Sequence, residues 1–426
     1  MKNKTGISVT QGTALYVGAV LGTGILLIPA LTIRIAGPAS IIAWMALVTL
    51  SVPLASIFAA LGSRYPDSGG VAHFARRAFG TYVGDITGWW FYGGVMMGAP
   101  SASIMGGFYI SNLFHTGYFY AIVAAFIMLS ISITINALGV QSASWSQVVF
   151  AAILACLILI TIITAIPDIN MKNFTPFAPH GWDSVGRATS LIIFSFVGWE
   201  AVAPLSQEFR NPQKDIPLST TLALIMIALL YLGLVFITIS VLGNSAAMTN
   251  VPIATLMSRG IGPSARTVTA IIATVLTIGT TNAFVGGAAK LGASLARDGS
   301  LPAILANGSE VGKVPLRSLS VVGVCSLAIL ILSALNNSGL DIILHASSSS
   351  FAAVYLSGTA AGFILLKSSK RWRVLSVLSF LFVVLLLIFS GVYLVAPAIL
   401  GLVALFFHKR HIIKLRSTST HHDSSR

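Results

Sequence analysis

A glycine-broken apolar stretch, residues 16–34, reads YVGAVLGTGILLIPALTIR, and a second one, residues 191–200, reads LIIFSFVGWE. Glycine accepts backbone angles that other residues avoid, so a membrane helix can unwind at Gly22 to Gly24 and at Gly198 and turn its N–H and C=O groups toward a ligand. Helices interrupted at corresponding positions in two halves of a chain are typical of the midplane binding site of a secondary transporter. The two stretches therefore predict a transporter.

Hydrophobic residues make up 56% of the chain and charged residues only 8%. The apolar runs repeatedly reach the ~20 residues that a helix needs to cross ~30 Å of hydrocarbon. This pattern predicts an all-α membrane protein with about twelve transmembrane helices, embedded in a lipid bilayer. The predicted spans cover residues 9–34, 39–63, 82–114, 118–138, 144–166, 185–206, 218–242, 265–290, 316–335, 340–366, 372–389 and 392–407.

The net charge of +14 would favour a nucleic-acid partner in a soluble protein. Here the basic residues lie mostly in the loops on one side of the predicted membrane. With the N-terminus in the cytoplasm, all of the 25 Lys and Arg residues fall on that side except Arg34, Lys172, Arg187, Arg259 and Arg266. The positive-inside rule thus predicts a multi-pass protein of the bacterial cytoplasmic (inner) membrane with both termini in the cytoplasm, and no nucleic-acid partner is expected.

Glu200 is the acidic residue that lies near mid-depth in a predicted span, whereas the rest of the 11 acidic residues fall in loops, in the tail or near the ends of spans. An ionisable group inside a membrane is a functional hypothesis by default. Its carboxylate can cap and tether the helix that is broken at Gly198, because a helix N-terminus favours a negative charge. It can equally serve as a proton-coupling or gating group. The two roles are compatible, and the sequence leaves both open.

Other polar positions within spans carry weaker hypotheses. Thr280 and Thr281, followed by Asn282, can coordinate an ion or make hydrogen bonds between helices. His345 is interpreted as a neutral, hydrogen-bonded histidine rather than a proton relay. The spans contain no nucleophile–base pair and no cluster of metal ligands, so we expect no enzyme activity, no cofactor and no metal site.

Three motifs occur in order along the chain. They are GTGI at 22–25 with IPA at 28–30, FSFVGWEA at 194–201 with EFRNPQKDIP at 208–217, and ARDGSLP at 296–302. These resemble the first helix, the sixth helix with its following loop, and the loop after helix eight of the amino acid–polyamine–organocation superfamily. A fourth stretch, YPDSGGVAHF at 65–74 with AFG at 78–80, is similar to the bacterial branch that exports methionine and branched-chain amino acids.

The resemblance implies a LeuT-type fold, in which two inverted repeats of five spans are related by a twofold axis in the membrane plane and helices one and six are broken. Residues 1–7 would form a cytoplasmic N-terminus, 8–166 the first repeat, 167–184 an extracellular loop, 185–366 the second repeat, 367–408 two accessory helices and 409–426 a cytoplasmic tail.

The resemblance also implies how a substrate is held. The α-carboxylate of an amino acid would accept hydrogen bonds from the N–H groups of Thr23, Gly24 and Ile25, and carbonyl groups in both breaks would hold the α-ammonium group. Phe194 matches an aromatic gate, and Phe284 matches a further aromatic residue of the pocket. The full set of candidate substrate-binding residues is Ala19, Val20, Gly22, Thr23, Gly24, Ile25, Phe194, Ser195, Phe196, Val197, Gly198 and Phe284.

The chain departs from several relatives in helix five, where their lysine takes the place of a sodium ion; residues 144–166 contain no Lys or Arg. Proton antiport through Glu200, sodium bound by carbonyls with Thr280 or Thr281, and uncoupled exchange all stay open.

An apolar pocket favours methionine, leucine, isoleucine or valine as the substrate. The predicted function is export of such neutral amino acids by alternating access, performed by a monomer-competent transporter. The alternatives are an uptake permease or exchanger of the same fold, and, less favoured, a channel or a membrane amino-acid sensor.

Overall fold

The computed structural model describes residues 6–65, 69–139, 144–200, 209–308, 310, 313–335, 339–367 and 369–423, excluding the side chains of 144–147 and 411–423. These residues form fifteen α-helices. The helices are α1 Val9–Leu21, α2 Ile28–Ala36, α3 Ser40–Arg64, α4 Gly70–Phe79, α5 Thr81–Leu113, α6 Tyr118–Ala137, α7 Ser144–Ala165, α8 Asp183–Ile192, α9 Pro212–Ile237, α10 Pro252–Gly260, α11 Ala265–Arg297, α12 Leu316–Ala334, α13 Gly339–Leu365, α14 Lys370–Ser390 and α15 Val395–Asp423.

The predicted all-α class is confirmed. In the described part of the chain the only β-type pairing is an isolated parallel bridge between Ile7 and Phe209. By length and composition, eight helical stretches are long and apolar enough to cross a membrane. Two of these stretches, Ile28–Arg64 and Lys370–Arg410, each join two helices, so the number of twelve spans stays a prediction. The end of the sixth predicted span, residues 201–206, lies outside the described residues.

The first predicted span divides into two helices. Ser8 starts α1 with a capping box, in which its side chain accepts a hydrogen bond from the Gln11 N–H and the Gln11 side chain accepts one from the Ser8 N–H. Helix α1 ends at Gly22, whose φ of +30° is a left-handed conformation that favours glycine. A 3-10 turn, Gly24–Leu26, follows, and Pro29 sits in the first turn of α2. The glycine break predicted from the sequence is therefore present.

The sixth predicted span is also interrupted. Helix α8 ends at Ile192 and continues as a 3-10 turn, Ile193–Phe196. Val197 is extended, with a ψ of 129°, and Gly198 adopts a φ of +138°. Because residues with a Cβ rarely adopt such a φ, this position requires glycine.

Two groups of helices pack around the broken segments. One group is centred on α5, which packs against α6, α11 and α13, while the other contains α1, α3, α8 and α9. The turn Gly24–Leu26 contacts α5, and the turn Ile193–Phe196 contacts α13 and α1. The two breaks therefore lie where the helix groups meet, inside the bundle.

Candidate functional site

The two broken segments touch each other through their backbones. A Cβ placed on Gly198 would lie only 2.8 Å from the carbonyl carbon of Ala19 and 2.9 Å from the nitrogen of Val20. A Cβ on Gly24 would lie 2.6 Å from the Ser195 Oγ and 3.1 Å from its Cα. Approaches this close exclude any side chain at Gly24 or Gly198 without a shift of the neighbouring segment. The sequence predicted both breaks, and the structure brings them into one site.

Tyr231 of α9 joins the two breaks. Its hydroxyl lies 2.8 Å from the carbonyl oxygen of Val20 and 2.6 Å from that of Ser195, so its single proton can be donated to either one. Both carbonyls are among those expected to hold a substrate ammonium group. In this conformation Tyr231 is the hydrogen-bond donor to one or the other of these carbonyls. The sequence analysis did not single out Tyr231, because a tyrosine in an apolar helix carries no local signal of a distant backbone partner.

Tyr355 of α13 and Glu200 are paired at the second break. The Tyr355 hydroxyl donates to the Glu200 Oε2 at 2.7 Å or to the Phe196 carbonyl at 3.0 Å. The Gly198 N–H donates to the same carboxylate oxygen at 3.1 Å. Glu200 is only 5% exposed, so its carboxylate is buried beside the break and bound to it. This geometry is compatible with the tethering role, and both the tethering and the proton-coupling roles of Glu200 stay predictions.

A third tyrosine holds the first break from the other side. The Tyr109 hydroxyl of α5 donates to the Leu26 carbonyl at 2.7 Å. Backbone carbonyls that leave a helix ladder inside a membrane must find another donor. Tyr109, Tyr231 and Tyr355 supply such donors from three different helices, and each of the three is at most 3% exposed.

The buried hydroxyl groups without a hydrogen-bond partner among the described residues include those of Thr23 and Ser195 at the breaks, and those of Thr277 and Thr281 on α11. Thr23 is 2% exposed and Ser195 is 1% exposed. A buried polar group without a partner costs free energy and calls for an explanation. Thr23 and Ser195 belong to the two breaks, where a bound polar ligand would satisfy them.

The aromatic candidates lie around Phe351 of α13, which the sequence analysis did not identify. The rings of Phe284 and Phe351 are 6.4 Å apart between centroids. Phe194 and Phe351 both approach Gly98 of α5, whose added Cβ would be 3.2 Å from one ring and 3.6 Å from the other. The Phe196 ring packs against Tyr231 with ring centroids 5.0 Å apart, and its carbonyl accepts the hydrogen bond from Tyr355.

The two threonines of α11 face different neighbours. A Cβ on Gly22 would lie 3.5 Å from the Thr280 Cγ2, so Thr280 is beside the first break. Thr281 is fully buried one turn after Thr277, which packs on Gly106 of α5. Residues four apart share a helix face, so Thr281 faces α5. Hydrogen bonding between helices, one interpretation of this polar run, is observed at Asn282, whose side-chain oxygen accepts from Asn136 of α6 at 2.8 Å.

Two interrupted helices whose unwound segments meet inside a bundle of long apolar helices define the class of membrane transport proteins. The sequence matches the family described as amino acid permease over residues 7–414. The chain belongs to this family, within the amino acid–polyamine–organocation superfamily, and is a multi-pass membrane protein of a family of transporters rather than enzymes.

Three relatives are bacterial transport proteins. The uncharacterized amino acid permease YecA of Bacillus subtilis (strain 168) is 33% identical over 94% of both chains. The L-methionine/branched-chain amino acid exporter YjeH of Escherichia coli (strain K12) is 31% identical over 91% of this chain and 92% of the relative. The branched-chain amino acid permease BcaP of Bacillus subtilis is 25% identical over 51% of each chain.

Proposed function

We propose that this chain exports neutral, apolar amino acids, namely methionine, leucine, isoleucine and valine, across the bacterial cytoplasmic membrane by alternating access. The observation that carries the proposal is the direct contact between the two broken segments at Gly24–Ser195 and Gly198–Ala19, beside unpartnered buried hydroxyl groups. The similarity to a methionine and branched-chain amino acid exporter supports the direction and the substrate class.

The backbone would recognise the amino-acid moiety. N–H groups of Thr23, Gly24 and Ile25 would donate to the α-carboxylate, which the dipole of the following helix also favours. Carbonyl groups from Ala19 and Val20 and from Phe194 to Val197 would accept from the α-ammonium group. This arrangement needs no charged side chain and so suits substrates whose own side chain is neutral.

Tyr231 supplies a physical link between binding and conformational change. Its hydroxyl occupies the Val20 and Ser195 carbonyls in the present conformation, in which the residues of both breaks are largely buried. A substrate ammonium group that binds both carbonyls would compete with Tyr231 for the one that accepts its proton, and would so weaken one constraint between the breaks. A ligand shifts a conformational equilibrium only when it binds one conformation more tightly than the other, and competition with Tyr231 would produce such a difference.

Coupling is proposed to run through Glu200, the buried carboxylate at the second break, with protons moving opposite to the substrate. Sodium bound beside Thr280 or Thr281, and uncoupled exchange, are the competing mechanisms. We further propose that both termini are cytoplasmic, that the two repeats cover residues 8–166 and 185–366, and that one monomer suffices for transport.

The test is flux of labelled amino acids in proteoliposomes that contain the purified full-length chain, with pH and sodium gradients imposed separately. We expect saturable transport of methionine and leucine that responds to the pH gradient. Net flux only toward the side corresponding to the cytoplasm would favour the uptake permease, and a strict requirement for a counter-substrate would favour an exchanger. Flux that does not saturate would contradict a transporter and favour a channel.

A further inference from the structure

Helix α5 carries two glycines, Gly94 and Gly98, one turn apart on the face toward α13, and we call this pair the glycine groove. We propose that the glycine groove determines which side-chain sizes the transporter accepts, because it seats the rings of Phe194 and Phe351. The proposal rests on the transport function proposed above, and it assigns a selectivity role to residues outside the two breaks.

The contacts at Gly98 carry the argument. A Cβ at this position would lie 2.8 Å from the Ser347 Oγ, 3.2 Å from the Phe194 Cε2 and 3.6 Å from the Phe351 Cε2. The first two separations are shorter than ordinary van der Waals contact. The Phe194 ring therefore lies against the bare backbone of α5 and uses the space that a methyl group would fill.

Helix α13 cannot simply retreat to make room. Ser347 donates a hydrogen bond to the Gly94 carbonyl of α5 at 2.8 Å, and this buried bond fixes the spacing of the two helices one turn from Gly98. Gly94 itself faces Phe351, since its added Cβ would lie 3.4 Å from that ring. Phe351 in turn is backed by Phe91, with ring centroids 5.6 Å apart in an edge-to-face arrangement. The Phe194 ring can therefore move only away from α5.

Displacing Phe194 changes the candidate pocket. Phe194 belongs to the second break, between Ile193 and Ser195, so a ring pushed away from α5 moves toward the space beside that break. Phe284, the other matched aromatic, lies beyond Phe351 and is partly exposed. A methyl group at Gly98 therefore narrows the pocket for a long substrate side chain and leaves the amino-acid moiety unaffected.

Gly93 offers a matched control on the same helix. Its added Cβ would contact the side chain of Leu400 on α15, away from the two breaks. Gly93→Ala and Gly98→Ala thus insert the same methyl group into helix contacts, and the contact at Gly93, with the Leu400 Cδ2, is tighter than the 2.8 Å contact of Gly98 with the Ser347 Oγ. Only Gly98→Ala contacts a residue of the candidate pocket.

The experiment measures competition by methionine and by alanine against labelled leucine in proteoliposomes of the wild type, Gly93→Ala and Gly98→Ala. We expect Gly98→Ala to weaken competition by methionine, relative to competition by alanine, on the order of 10-fold. This is the discrimination that about one methylene group produces in an apolar pocket. Gly93→Ala should keep the wild-type ratio. The double variant Gly98→Ala/Phe194→Leu should recover competition by methionine, because the smaller leucine side chain leaves room for the new methyl group.

An unchanged methionine-to-alanine ratio in Gly98→Ala would overturn the proposal. Should that variant fail to fold, Gly98→Ala/Ser347→Ala removes the 2.8 Å contact and keeps the methyl group against Phe194. Its ratio is compared with that of Ser347→Ala alone, which lacks the same hydrogen bond to Gly94, so that the difference isolates the methyl group. A wild-type chain that transports no amino acid would contradict the proposed function itself, which is a different result from an unchanged ratio in an active variant.

Discussion

At the scale of single residues, hydroxyl groups and small side chains shape the candidate site. Three tyrosines cap carbonyl groups that the helix breaks release, and two glycines allow those breaks to touch. The site therefore consists mainly of backbone, held in position by side chains that come from elsewhere in the bundle.

Tyr231→Phe tests the tyrosine that joins the breaks. The substitution keeps the ring contact with Phe196 and removes the proton that the Val20 and Ser195 carbonyls share. Leaving a buried acceptor unpaired costs about 1–3 kcal/mol, so we expect a lower melting temperature for the detergent-purified chain. Tyr120→Phe, at a site that is 57% exposed, is the control. Equal melting temperatures for the two variants would show that the shared proton does not stabilise the site.

Glu200→Gln separates tethering from proton coupling. Glutamine keeps an oxygen that can accept from the Gly198 N–H and from the Tyr355 hydroxyl, but it cannot titrate. We expect amino-acid exchange to persist while net flux loses most of its response to an imposed pH gradient. Asp168→Asn, in the exposed segment after α7, is the control. A wild-type pH response in Glu200→Gln would assign the carboxylate to tethering and favour sodium at Thr280.

At the scale of helices, the breaks are the elements that determine function. Gly24→Ala tests their contact, because the new Cβ would lie 2.6 Å from the Ser195 Oγ. We expect loss of substrate binding, measured by calorimetry, and partial recovery in Gly24→Ala/Ser195→Gly, which removes the Oγ contact but leaves the Cα at 3.1 Å. Gly117→Ala, where an added Cβ meets nothing within 4 Å, should bind as the wild type does. Binding that survives Gly24→Ala unchanged would place the substrate elsewhere.

The sequence predicted the helices well because each apolar run is long and its ends carry polar residues. The predicted span 82–114 corresponds to α5, Thr81–Leu113, and both breaks occur at their predicted glycines. Helix α11 extends to Arg297, beyond its predicted end at 290, because the small and polar residues there pack on α5 instead of facing lipid. Helix α15 likewise continues to Asp423, into the predicted tail.

The partners of the breaks could not be predicted in the same way. Tyr231 follows Val20 by 211 residues and Tyr355 follows Phe196 by 159, and no local periodicity encodes such a pairing. Phe351 was missed for the same reason, since an aromatic residue in an apolar helix is equally compatible with lipid contact and with core packing. Side-chain selectivity therefore depends on tertiary contacts that only the fold reveals.

At the scale of the whole molecule, a charge cluster joins four helices at one end of the bundle. Asp85 at the start of α5 accepts a hydrogen bond from Arg76 of α4 at 2.8 Å and pairs with the His408 Nδ1 of α15 at 2.6 Å. Arg76 also contacts Asp298 at the end of α11. The side chain of Asp85 is only 4% exposed, so the cluster connects helices that are remote in sequence through a buried carboxylate.

Asp85→Ala tests whether this cluster holds the helices together. It removes the carboxylate shared by Arg76 and His408, and hydrogen bonds to a charged group contribute about 1.5–3 kcal/mol each. We therefore expect a clearly lower melting temperature for the detergent-purified chain, and a smaller further loss when His408→Ala is added, since the two residues share one interaction. Asp183→Ala is the matched control, because its pair with Arg187 is 66% and 57% exposed and an exposed ion pair adds little. Equal effects of Asp85→Ala and Asp183→Ala would show that the buried carboxylate adds no more stability than an exposed one, and strict additivity with His408→Ala would show that Asp85 and His408 do not act through a shared interaction.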